Sequence, residues 1–185
     1  PRRQAYAARA LKDVAGKTAL GMPELGQLGT SGAPPEVRAV ALSALGNASD
    51  GTRDLPPSIL AASKPAALLA FRTVLARERP GPPFEEASRA LRYTERDFAK
   101  SAAMYLEALK QNPDAAAQAA LLDYIGQAHS AAGPLADELR PWANASDPKV
   151  RQAAIGALDA IKPSWREAGE CVAAVAAGAL PKPAA

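Results

Sequence analysis

The chain has 185 residues, and 46 of them are alanine, about half of its 48% hydrophobic set, whereas valine, isoleucine and threonine together number 16. Alanine is the strongest helix former and the β-branched residues are the usual strand formers, so the composition argues against an all-β fold or a large parallel sheet. With 22 basic and 19 acidic residues, a net charge of +3 spread along the chain leaves ample apolar surface for a core and argues against a nucleic-acid interface.

A first amphipathic stretch sets Arg2, Arg9, Lys12 and Lys17 with Tyr6 on one face and Ala7, Leu11, Val14 and Ala15 on the other, a solvated face or an attraction to an acidic partner. Helical patterns then recur in pairs. Residues 22–28 precede a stronger helix at 35–45, and residues 52–62 precede one that opens at Pro65 and runs to 75. Arg79-Pro80-Gly81-Pro82-Pro83 reads as a Pro-rich break, an insertion or bend followed by a short helix at 84–92. Residues 94–110 pair with 113–122, and 135–143 with 148–161. A last helix at 165–177 carries Trp165 and Cys171, and a Pro/Ala-rich tail occupies 179–185 after a single domain at 1–178.

Proline punctuates these patterns because its missing N–H costs nothing in the first helical turn. In Asp147-Pro148-Lys149-Val150-Arg151 the aspartate is an N-cap acceptor, and Val150, Ala154, Ala157 and Ile161 follow at helical spacing. The stretch from Pro35 to Leu45 overlays Pro148 to Leu158 without a gap, with weaker copies from Pro65 and Pro113. The four starting prolines are separated by 30, 48 and 35 residues, a spacing that signals a helical repeat. Gly46-Asn47, Gly126 and Gly133 suit helix C-caps.

Asp147, Pro148, Val150 and Arg151, together with Pro35, Val37 and Arg38, resemble the turn and second helix of HEAT repeats, the hairpin units of the HEAT and armadillo superfamily. The resemblance implies an all-α fold, an α-solenoid of about four HEAT-like helical hairpins with a Pro-rich break near residues 80–83. One departure is Tyr105 with residues 108–114, which resembles the end of a tetratricopeptide unit.

Chemistry is sparse. No Gly-x-Ser-x-Gly elbow is present, His129 is the one histidine, and a lone Cys171 excludes both an intrachain disulfide and a four-ligand Cys/His zinc site. The acidic pairs Glu85-Glu86 and Glu95 with Asp97 do not share one helical face. The expectation is a non-enzymatic scaffold, without cofactor, that binds a protein or peptide partner through the concave face lined by second helices. Its contact residues would be Arg38, Arg72 and Arg151, with Ser43 and Gln152 as polar neighbours.

Two enzyme classes with HEAT-like repeats supply alternatives: bilin lyases, with a ligand pocket near Cys171 or His129, and alkylpurine DNA glycosylases, with a basic aromatic concave face. A further alternative is a subunit of a larger complex. The chain begins at Pro1 and reads as a processed product or an excised segment. No apolar run reaches the roughly 18 residues of a membrane span, residues 171–180 coming nearest.

Overall fold

The computed structural model of the chain describes residues 21–50 and 56–161, together with Tyr6 and Ala10. The described residues are all-helical, with no strand among them. In chain order the helices are α1 (Met22–Gly29), α2 (Pro35–Ser49), α3 (Pro57–Arg77), α4 (Pro82–Thr94), α5 (Phe98–Gln111), α6 (Ala115–Gly126), α7 (Ala136–Leu139) and α8 (Pro148–Ala160). Two 3-10 segments, His129–Leu135 and Arg140–Asn144, flank α7. The expected elements at 1–20 and 165–177 and the tail lie outside the described residues, apart from Tyr6 and Ala10, both exposed.

Proline opens α2, α3, α4 and α8, where its fixed φ suits the first turn. Aspartates open α5 and α8: Asp97 Oδ1 accepts from the Ala99 and Lys100 amides, and Asp147 Oδ1 from those of Lys149 and Val150, at 2.8 and 3.1 Å. Each helix packs on its successor or on the next but one. Successive helices in contact are α1–α2, α2–α3, α3–α4 and α5–α6; further apart in the chain, α1 meets α3, α3 meets α5, α2 meets α4, and α6 meets α8. The last three even-numbered helices begin at residues 82, 115 and 148, an even interval of 33.

Several expectations about the elements are corrected. Pro65 does not open a helix but lies inside the 21-residue α3, so residues 57–62 and 65–75 belong to one helix and do not form a hairpin; residues 52–55 of the expected first helix lie outside the described residues. Proline deprives the Ala61 carbonyl of its i+4 donor, but Ala61 and Pro65 are both exposed, so water can replace the bond. The partner of α3 is therefore α4, which is longer than the expected short helix because Pro82 and Pro83 form its first turn. The Pro-rich segment is thus a tight link over residues 78–81. Uninterrupted, α3 also becomes long and apolar enough to cross a membrane, with a mean hydropathy of 1.4 over its best window. It packs against α1, α2, α4 and α5. Between residues 129 and 144 the helix expected at 135–143 is broken into 3-10 turns, because Pro134 and Pro141 each remove an i+4 donor.

Alanine and glycine let the helices approach closely. Gly46 is not a C-cap: α2 continues to Ser49, and a Cβ at position 46 would stand 2.7 Å from the Ala90 Cβ of α4. Gly126 likewise faces α8, where a Cβ would stand 3.1 Å from the Ala157 Cα. Both glycines serve proximity rather than a left-handed backbone. Around these seams one core runs through Leu42, Leu45, Phe71, Leu75, Phe84, Leu91, Tyr105, Leu109, Leu121 and Ile125, all essentially inaccessible.

Candidate functional site

The five residues expected to meet a partner fall on three helices and in different environments. Arg38, on α2, is largely covered: its Nε donates to the Gly29 carbonyl at 3.0 Å and its guanidinium pairs with Glu78 beyond the end of α3. Burial holds its pKa below the ordinary arginine value. The side chain ties α1, α2 and the α3–α4 link together. Ser43 is half-buried on the same helix, and its carbonyl accepts from Asn47 Nδ2 at 2.7 Å. Arg72 is exposed, but on α3, the first member of its pair, and not on a second helix. Arg151 and Gln152 are exposed at the start of α8, where Arg151 Nη1 donates to the Ala145 carbonyl at 2.7 Å. The five thus lie on α2, α3 and α8, and of them only Arg72 lines a surface depression described below.

Surface depressions on two parts of the molecule bring other residues together. On the side formed by α1, α3 and α5, a furrow of about 510 Å³ is lined by Gly26, Thr30, Ala66, Leu69, Thr73 and Arg77. A smaller one of about 210 Å³ continues past Leu69 to Arg72, Glu107 and Gln111. Leu69 stands 68% exposed between them.

The other part holds a groove of about 580 Å³ lined by Glu85, Arg89, Arg92, Tyr93, Arg96, Phe98 and Tyr124. Its origin is a gap in helix packing. Helices α2 and α4 are in close contact, as are α6 and α8, but α4 and α6 make at most a marginal approach. Tyr105, buried on α5, fills the base of that gap. Its hydroxyl donates to the Ser88 carbonyl of α4 at 2.8 Å, and its ring stacks on Tyr124 of α6 with centroids 5.4 Å apart. Burial raises its pKa well above the ordinary tyrosine value. Above it, Arg92 Nη1 donates to Gln127 Oε1 at 2.5 Å, joining α4 to the end of α6.

Helical spacing places Arg89 and Arg92 on one face of α4, Arg96 follows in the link to α5, and Phe98 is the first residue of α5. Arg89 pairs with Glu86 and lies 5.9 Å from the Tyr93 ring centroid; the Glu86 bond is the main reason its pKa rises. Tyr93 and Phe98 are about half exposed. The signal for this site is present in Arg89-x-x-Arg92-Tyr93-x-x-Arg96-x-Phe98, a basic and aromatic cluster that a search for catalytic motifs passes over.

No known protein family, curated protein or solved structure matches the chain. Its chemistry therefore has to be read from its own residues. No group of three or more His, Cys, Asp or Glu side chains that could hold a metal is present among the described residues. Every buried side-chain nitrogen and oxygen among them has a hydrogen-bond partner. His129 is exposed, with a left-handed φ of 48° at the start of the 3-10 segment. Cys171 lies outside the described residues.

Proposed function

We propose that the protein is a HEAT-like α-solenoid scaffold that binds a protein partner, with the groove between α4 and α6 as the contact site. The observation that carries this reading is the order of helix packing. First members meet first members (α1–α3–α5) and second members meet second members (α2–α4, α6–α8), as stacked hairpins do. In such a stack the second helices line the concave side, and a gap between two of them opens a recess on that side. The groove fits binding better than catalysis, since its arginines and aromatic rings offer charge and apolar area but no nucleophile beside a base.

Two measurements test this. Small-angle scattering should give a radius of gyration above the roughly 16 Å of a compact chain of this length. A photo-cross-linking residue at Tyr93 should capture one protein in source cells, while the same residue at the exposed Asp137, away from the groove, should not. A compact particle would remove the solenoid, and equal capture from both positions would remove the site. Visible absorbance in the purified protein would favour the chromophore-handling alternative.

A further inference from the structure

We infer that the α4/α6 groove takes an extended acidic peptide segment, one aromatic or large aliphatic side chain flanked by carboxylates; this rests on the protein-binding reading and specifies its partner. The apolar half of the recognition comes from the rings. Tyr93 and Phe98 stand 47% and 52% exposed at the groove, and they are two of the five large hydrophobic residues left exposed among those described. Tyr124, which lines the same groove, is half-buried and held by its stack on Tyr105, which is fixed in turn by Ser88. An inserted side chain therefore meets a floor already in place and pays little ordering entropy on binding.

The polar half comes from the arginines. Arg89 already has a carboxylate partner in Glu86, whereas Arg92 donates to the neutral amide of Gln127. A ligand carboxylate gives Arg92 a charged acceptor in place of a neutral one, and charge-assisted bonds of that kind are the stronger. Arg96 also lines the mouth of the groove.

The same charges disfavour a nucleic acid. Three arginines share the site with Glu85 and Glu86, and a phosphate backbone needs a longer uninterrupted basic track than this recess provides. A volume of about 580 Å³ suits two or three residues of peptide.

Fluorescence anisotropy tests the assignment with a labelled peptide of sequence Glu-Glu-Phe-Glu-Glu, its Gln-Gln-Phe-Gln-Gln and Glu-Glu-Ala-Glu-Glu counterparts, and a single-stranded oligothymidylate as competitor. The acidic phenylalanine peptide should bind saturably, and each counterpart at least about fivefold more weakly. Arg92→Glu should weaken binding about tenfold, which is about 1.4 kcal/mol. Phe98→Ser, at an exposed position, should weaken it without disturbing the fold, and Lys149→Glu, exposed on α8 and outside the groove lining, should leave it unchanged. The assignment is overturned if the glutamine peptide binds equally well, if Lys149→Glu costs as much as Arg92→Glu, if oligothymidylate competes more tightly than the peptide, or if no peptide binds. A failure here with capture from position 93 intact removes the acidic peptide alone; loss of both removes the scaffold reading as well.

Discussion

The hydroxyl of Tyr105 lies 2.8 Å from the carbonyl oxygen of Ser88, so one buried side chain on α5 spans the place where α4 and α6 fail to pack. Replacing it with phenylalanine removes the hydrogen bond and keeps the ring stacked on Tyr124. Tyr105→Phe should destabilise the fold by about 1 kcal/mol, read from denaturant midpoints at neutral pH.

The pH dependence of the same residue has a definite sign. Burial raises the folded-state pKa above the ordinary value of 10.0, so the unfolded chain releases the phenolic proton first. Its contribution to stability is complete below pH 10 and is lost as pH rises from there through the folded-state value. Tyr105→Phe should flatten the fall in stability above pH 10, and an unchanged alkaline limb would place the titration elsewhere.

Gly46 and Gly126 occupy equivalent places in two helix seams, against Ala90 and Ala157. A methyl group at 46 collides with the Ala90 Cβ and one at 126 presses on the Ala157 backbone, and neither partner has a rotamer to escape into. Overpacking of about 1–3 kcal/mol should outweigh the helix-propensity gain of about 1 kcal/mol, so Gly46→Ala and Gly126→Ala should lower the melting temperature. Gly156 of α8 has open space around its Cβ position, and Gly156→Ala should raise it.

Asn112 is buried at the α5–α6 link, and its Nδ2 donates to the carbonyls of Leu75 and Glu78 at 2.7 and 2.8 Å. It thereby closes the C-terminal end of α3, and its Oδ1 accepts from the Asp114 amide at 2.9 Å. Asn112→Ala strands these groups and should cost about 2–3 kcal/mol in thermal or chemical unfolding.

Arg38 and Arg151 share a sequence motif but should respond differently. Loss of the partly covered Arg38, with its Gly29 and Glu78 partners, should destabilise by about 1–2 kcal/mol. Arg151→Ala removes two exposed bonds to the carbonyls of Ala145 and Ser146 in the link before α8 and should stay within about 0.5 kcal/mol of the parent. Paired unfolding curves decide whether Arg38 is a structural tie.

Helix type and the starts of α2 and α8 were legible because capping is local: Asp147 and Pro148 act on amides two and three residues away. Pro65 was misread for the complementary reason. Whether an internal proline ends a helix depends on the exposure of the carbonyl it orphans, and that is set by the neighbours of Ala61. The groove was half legible, since the arginine and aromatic spacing from 89 to 98 can be read directly. What could not be read is Tyr124, which reaches the groove from α6, and the gap that admits it.

By itself, then, the amino-acid sequence determined an all-helical chain of short proline-opened segments rich in small residues, because propensity, capping and periodicity act over a few bonds. The tertiary structure alone decided which helices became partners, which glycines face alanines across a seam, and that Arg38 is tied inward while Arg92 stands at an opening. Those outcomes depend on distances between segments far apart in the chain, which close packing sets and local preference does not.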